Sequence, residues 1–271
     1  MTNLLLSSVN PNDPKTWSTS LIVLASLVAI VGIILFVVTM IWFFTWIKYS
    51  WFHLENSANL TGGELSQKYL KTYGINAKRI KFKGFGNINS ITVEPRFFYL
   101  MPYLFNNGNF TLRLLPWTYH RRSIYTLAMA MESTWAVSSS NSSRFNTFWW
   151  DFSRKITLFF VLIPFALAIL FALSPANSWI TLSAASANIL SIVLSILGSI
   201  LLILFSSMQM IFYAKSRKEI CQNLVGILNE KEIRAISWIF QIKFIYYLIR
   251  MIYEILQLIL RIVMYTQQNE K

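Results

Sequence analysis

The sequence predicts an α-helical membrane protein that carries a small α+β extramembrane domain. Three observations lead there. Residues 21–47 form one uncharged apolar run, LIVLASLVAIVGIILFVVTMIWFFTWI, longer than the roughly 20 residues a spanning helix needs. Residues 156–206 contain no charged side chain, which is enough for two further spans joined by a turn. Between them, residues 48–155 change character: fourteen Lys or Arg stand against five Asp or Glu, and short alternating segments replace the apolar runs.

Composition supports this class. Hydrophobic residues make up 55% of the chain and charged residues 13%, against about a quarter charged in an ordinary soluble domain. The formal net charge of +13 points to cytoplasmic loops facing anionic lipid. Basic repeats interleaved with aromatics are missing, so nucleic acid is not expected as a partner. The one cysteine, Cys221, permits no intrachain disulfide and fits a small buried hydrophobe better than a nucleophile.

Taken in order, residues 1–20 read as a polar tail with Pro11 and Pro14. Residues 21–47 are the first spanning helix. The run is too long for a secretory core and no small-residue cleavage site follows, so it is expected to stay as an anchor. Trp42, Phe43, Phe44, Trp46, Tyr49 and Trp51 suit the headgroup boundary.

Residues 48–155 are the extramembrane domain. In 60–74, LTGGELSQKYLKTYG, Thr61 and Glu64 have capping-box spacing and Gly74 sits where a helix ends. Residues 79–83 and 87–94 read as strands with Gly84 and Gly86 at the turn between them. Residues 96–105 carry Pro102 and are at best an edge strand. Residues 109–115 alternate as a third strand. The stretch 121–140, RRSIYTLAMAMESTWAVSSS, reads as a helix built around one acid, Glu132.

Beyond it, 156–173 is the second span, 174–179 an uncharged turn and 180–206 the third span. Residues 207–234 form a charged loop or helix, 235–265 an amphipathic or membrane helix, and 266–271 a tail. Lys243, Arg250, Glu254 and Arg261 are spaced 7, 4 and 7, which places them on one narrow arc. The favoured reading is a membrane-interface stripe facing lipid headgroups. Two others stay open: a span with the stripe turned into the bundle, and a solvated face on a helix packed against the domain.

Lys48, Arg154 and Lys155 flank the domain, and Lys215, Arg217 and Lys218 flank the later loop, while 174–179 has no charge. The positive-inside rule then predicts a multi-pass protein of the cell membrane with its main domain in the cytoplasm.

Glu132 asks for a chemical explanation. Ala128, Met129, Ala130 and Met131 precede it, and Trp135, Ala136 and Val137 follow. A carboxylate in such surroundings costs free energy unless it is paired, hydrated or protonated. On composition alone it is an acid at the polar edge of an ordinary helix. The stretch also resembles the active-site helix of the bacterial membrane-associated neutral zinc metallopeptidases (YugP-like), in which small apolar residues lead into H-E-x-x-H. Leu60, Thr61, Gly62, Glu64 and Gly74-Ile75 resemble that family's opening helix. Leu112-Arg113-Leu114 and Tyr119 stand where its strand runs into the metal-site helix.

In H-E-x-x-H the two imidazoles share one helix face and hold zinc, with the Glu as general base. Aligned on Glu132, the histidine positions are held by Met131 and Trp135. In a register shifted by one, Glu132 takes the first ligand position and Ala136 the second. The family's third ligand, a Glu, corresponds to Ile211 in Ile211-Phe212-Tyr213-Ala214. The only histidines are His53 and His120.

The resemblance therefore implies a zincin-like domain whose metal motif is lost, with Glu132 a vestigial general base or a first-ligand position, and no cofactor. The leading expectation is a membrane-integrated pseudopeptidase that binds a membrane protein or peptide beside the lipid bilayer. One alternative is an active zinc metallopeptidase with an altered site drawing on Glu132 and His120. The other is a structural membrane protein whose ancestral groove is filled by Met131 and Trp135.

Overall fold

A computed structural model of the chain describes residues 19–52, 55–72, 80–83, 90–93, 110–138 and 184–269. They form α1 (Thr19–Ile47), a π-helical turn (Lys48–Phe52), α2 (Gly62–Thr72), β1 (Ile80–Lys83), β2 (Ser90–Val93), β3 (Phe110–Arg113), α3 (Pro116–His120), α4 (Ile124–Ser138), α5 (Ala184–Asn223) and α6 (Glu230–Asn269). The described residues are thus mostly helical, and a zincin-like α+β domain is not shown. The sheet consists of three four-residue strands in the order β1-β3-β2. β3 runs parallel to β1 (Ile80↔Phe110) and antiparallel to β2 (Ser90↔Arg113). The first two strands are therefore not hairpin neighbours; β3 lies between them. The expectations for residues 1–18, 84–89, 96–105 and 156–179 fall outside the described residues.

The chain divides into two compact units. The described parts of the first are residues 19–39 of α1, 184–207 of α5 and 246–269 of α6. α1 is apolar on every side, and Ile22, Val23, Leu27, Ile30, Ile33 and Phe36 are all exposed. Two of its hydroxyls bond locally: Ser26 Oγ donates to Ile22 O and Thr39 Oγ1 to Leu35 O, each at 2.8 Å. α1 and the Ile196–Asn223 part of α5 are long and apolar enough to cross a membrane. α5 continues well past residue 206, so the stretch drawn as 207–234 is helix on both sides of a short link at 224–229. Burial explains the extension, because Phe212, Tyr213 and Ile220 form an apolar seam that a loop would leave in water.

The second unit comprises residues 40–72, 80–138 and 208–245 as far as they are described. Residues 208–245 of α5 and α6 thus group with the described part of the domain expected at 48–155. α2 opens with the capping box. Thr61 N donates to Glu64 Oε2 at 2.8 Å, and Glu64 N to Thr61 Oγ1 at 3.2 Å. Gly62 permits the close crossing that follows, since an added Cβ would lie 2.1 Å from Thr118 O. α2 then buries Leu65, Ser66 and Tyr69, and Thr134 Oγ1 of α4 donates to Ser66 Oγ at 2.8 Å. α6 opens with a second box, Glu232 N to Asn229 Oδ1 at 2.9 Å and Asn229 N to Glu232 Oε2 at 3.1 Å. The same Glu232 carboxylate accepts from Ser57 N and Ser57 Oγ, each at 2.6 Å, and so pins the loop before α2 to the start of α6.

The first box sets an acid sensitivity. The hydrogen bonds from the Thr61 backbone and hydroxyl hold the Glu64 carboxyl below its ordinary range. A lowered folded-state value contributes stability above the unfolded value, about pH 4.3, and loses it as pH falls through the folded value. Amide protection in the first turn of α2 should therefore decline in acid below about pH 4, and in Glu64→Gln that decline should vanish. Hydrogen exchange across residues 61–66, measured at a series of pH values, checks this.

Candidate functional site

α4 forms because its residues favour it: Ala128, Ala130, Leu127 and Met131 are strong helix formers, and Ser123 Oγ accepts from Thr126 N at the start. Thirteen of its fifteen residues are buried, so it has no solvent face. Glu132 is therefore not at a polar edge; it is wholly buried. A carboxylate at such a position must find charge or hydrogen-bond partners inside the protein.

It finds both. Tyr213 OH, from α5, donates to Glu132 Oε1 at 2.9 Å. Lys243 Nζ, from α6, donates to Oε2 at 2.5 Å and forms a salt bridge. Lys243 is itself only 3% exposed. Its ammonium also meets Met129 Sδ at 3.0 Å and lies 5.4 Å from the centroid of the Tyr213 ring, where the π-face favours a cation. The Phe240 ring lies 6.0 Å from the Tyr213 ring between centroids. One acid, one base and one phenol thus close on each other and tie three helices together.

Met131 is fully buried, and Ala136 with it. Trp135 is 3% exposed. Its indole Nε1 donates to Glu219 Oε2 at 2.7 Å, and its ring meets Phe212 edge-on at 5.0 Å. Ile211 faces outward at 43% exposure; the neighbouring Phe212 and Tyr213 are the residues of that stretch that reach α4. His120 is exposed at the end of α3. His53 lies outside the described residues.

The membrane-interface stripe needs a correction at Lys243. Its side chain is buried against Glu132 and does not face a lipid surface, because an opposite charge in a dry core outweighs attraction to screened headgroups. Arg250 lies over the Phe205 ring at 6.0 Å, and Arg261 donates to Ser199 Oγ at 3.0 Å. Glu254 is half-buried between them in sequence.

Zinc can be tested against these donors. Both Glu132 oxygens are engaged, and an ammonium occupies the approach to one of them. The side chains at the motif positions are thioether, indole and methyl. No three His, Cys, Asp or Glu side chains are grouped to share a metal among the described residues. The residues do not fit a catalytic zinc, which takes three protein ligands. Comparison with family models, curated proteins and solved structures returns no match to this chain.

Tyr213 was not a candidate from sequence, and Lys243 was one only as part of the membrane-interface stripe, not as a partner of Glu132. A signal for Lys243 was present: it is a lone base in the apolar stretch ISWIFQIKFIYYLI, the counterpart of the lone acid in 121–140.

Proposed function

We propose that this chain is a membrane-integrated, non-catalytic relative of the YugP-like zinc metallopeptidases, in which the former metal site has become part of a structural core. One observation carries the reading. The only acid of α4 is neutralised from within by Lys243 and oriented by Tyr213, so the carboxylate serves packing and helix docking rather than a substrate. Met131 and Trp135, buried at the motif positions, fill the remaining space. On this reading the second unit is a zincin-like domain remodelled around an ion pair. The chain is multi-pass, and the Lys/Arg distribution puts the main domain in the cytoplasm.

A second reading, a bound peptide or membrane-protein partner, is favoured at the sheet and not at α4. β1 and β2 each present one edge without a strand neighbour among the described residues, and an extended segment can pair there.

The test is hydrolysis of an unfolded polypeptide by purified protein supplied with zinc, for the natural chain and for Glu132→Ala. The expected result is no hydrolysis that depends on Glu132. Zinc-dependent cleavage that Glu132→Ala abolishes would overturn the non-catalytic reading.

A further inference from the structure

We propose that residues 246–269 of α6 cross the bilayer as a further span, with an isoleucine face against lipid acyl chains and the charged face turned inward. The inference rests on the membrane-integrated part of the proposed function and is independent of its pseudopeptidase part. Arg250, Glu254 and Arg261 make this segment look unlike a span by composition. Its placement says otherwise.

Length comes first. Twenty-four helical residues extend about 36 Å, enough for the roughly 30 Å hydrocarbon core. The exposed large hydrophobic side chains of the segment are Ile252, Ile255, Ile259 and Ile262. Their spacing of 3, 4 and 3 puts them on one helix face. A helix lying on the membrane with its basic stripe toward headgroups would bury that face in the bilayer and leave the arginines outward and unengaged.

The arginines are engaged. Arg261 Nη1 donates to Ser199 Oγ of α5 at 3.0 Å, and Nη2 to Gln257 Oε1 at 3.3 Å. Gln257 Nε2 in turn donates to Tyr253 OH at 2.6 Å. Arg250 sits over the Phe205 ring of α5, which also meets Tyr247 edge-on at 5.7 Å. Gly32 of α1 also approaches so closely that an added Cβ would lie 3.3 Å from Tyr253 Cε2. The segment thus touches α5 and α1, the two helices among the described residues that are long and apolar enough to cross a membrane. Charged groups in such a place face the bundle, where hydrogen bonds replace water, and the apolar remainder faces lipid. The partner of the isoleucine face is therefore hydrocarbon.

Single cysteines at Lys231 and Thr266, both exposed, test this in a Cys221→Ala background. Sealed membranes are treated with an impermeant thiol reagent before and after permeabilisation. One position should react at once and the other only after permeabilisation, since α6 crosses between them. Reaction of both from the same side would overturn the proposal and leave membrane integration standing. Release of the whole protein by an alkaline carbonate wash would overturn membrane integration itself, and this proposal with it.

Discussion

Lys243→Ala is expected to destabilise the fold by about 3–5 kcal/mol, the cost of leaving one member of a buried ion pair without its partner. The reason is local. Glu132 is fully buried, and Lys243 forms a buried salt bridge with its carboxylate. Tyr213 would still donate to Oε1, but a neutral hydrogen bond does not replace the ammonium beside a buried negative charge. The freed carboxylate must then take up a proton or draw in water, and either route loosens the docking of α4 against α6. Equilibrium unfolding in mixed micelles reads the loss. Glu132→Ala should be costly for the mirror-image reason, because it strands the ammonium beside Met129 and Tyr213. An unchanged midpoint in Lys243→Ala would mean that the contact is not made in the folded protein.

Trp135→Ala should cost about 3–5 kcal/mol, as expected for truncating a large buried aromatic side chain. The indole is almost fully enclosed, contacts Phe212 edge-on and donates to Glu219. Trp135→Phe separates these terms. It keeps a ring against Phe212 and loses the hydrogen bond, so about 0.5–1.5 kcal/mol is expected from the lost bond, plus a part for the smaller ring. Thermal unfolding of the two variants side by side checks the order. Equal melting temperatures for Trp135→Ala and the natural chain would show an open groove at this position in place of a filled core.

The helical class of the described residues was legible in residue patterns, and the departures have physical causes. α1 follows from an uncharged run long and apolar enough to cross a membrane. The capping box at Thr61 and Glu64 is readable because it needs only residues three apart. Sheet order was not readable: the partner of β1 is β3, twenty-seven residues beyond its last strand residue at Lys83, and local spacing holds no record of such a pairing. The site was half legible. The strain of a lone acid at Glu132 was visible, but its solution came from Tyr213 and Lys243, 81 and 111 residues away. The arc of Lys243, Arg250, Glu254 and Arg261 specifies which face is polar, whereas what that face meets depends on the neighbours. An amphipathic helix turns its polar face toward water, headgroups or an internal counter-charge, and periodicity alone does not choose among them.

The measurement that bears most directly on the structural role of this core is a double-variant cycle on Glu132 and Lys243. Glu132→Gln with Lys243→Met removes both charges, keeps an acceptor for Tyr213 OH and preserves side-chain volume. Replacing a whole buried ion pair by neutral groups of similar shape is often close to neutral. If pairing with each other is what these two residues do, the double variant should recover most of the stability lost in either single variant. A double variant as unstable as the sum of the two single losses would show that Glu132 and Lys243 act independently, and would contradict the account.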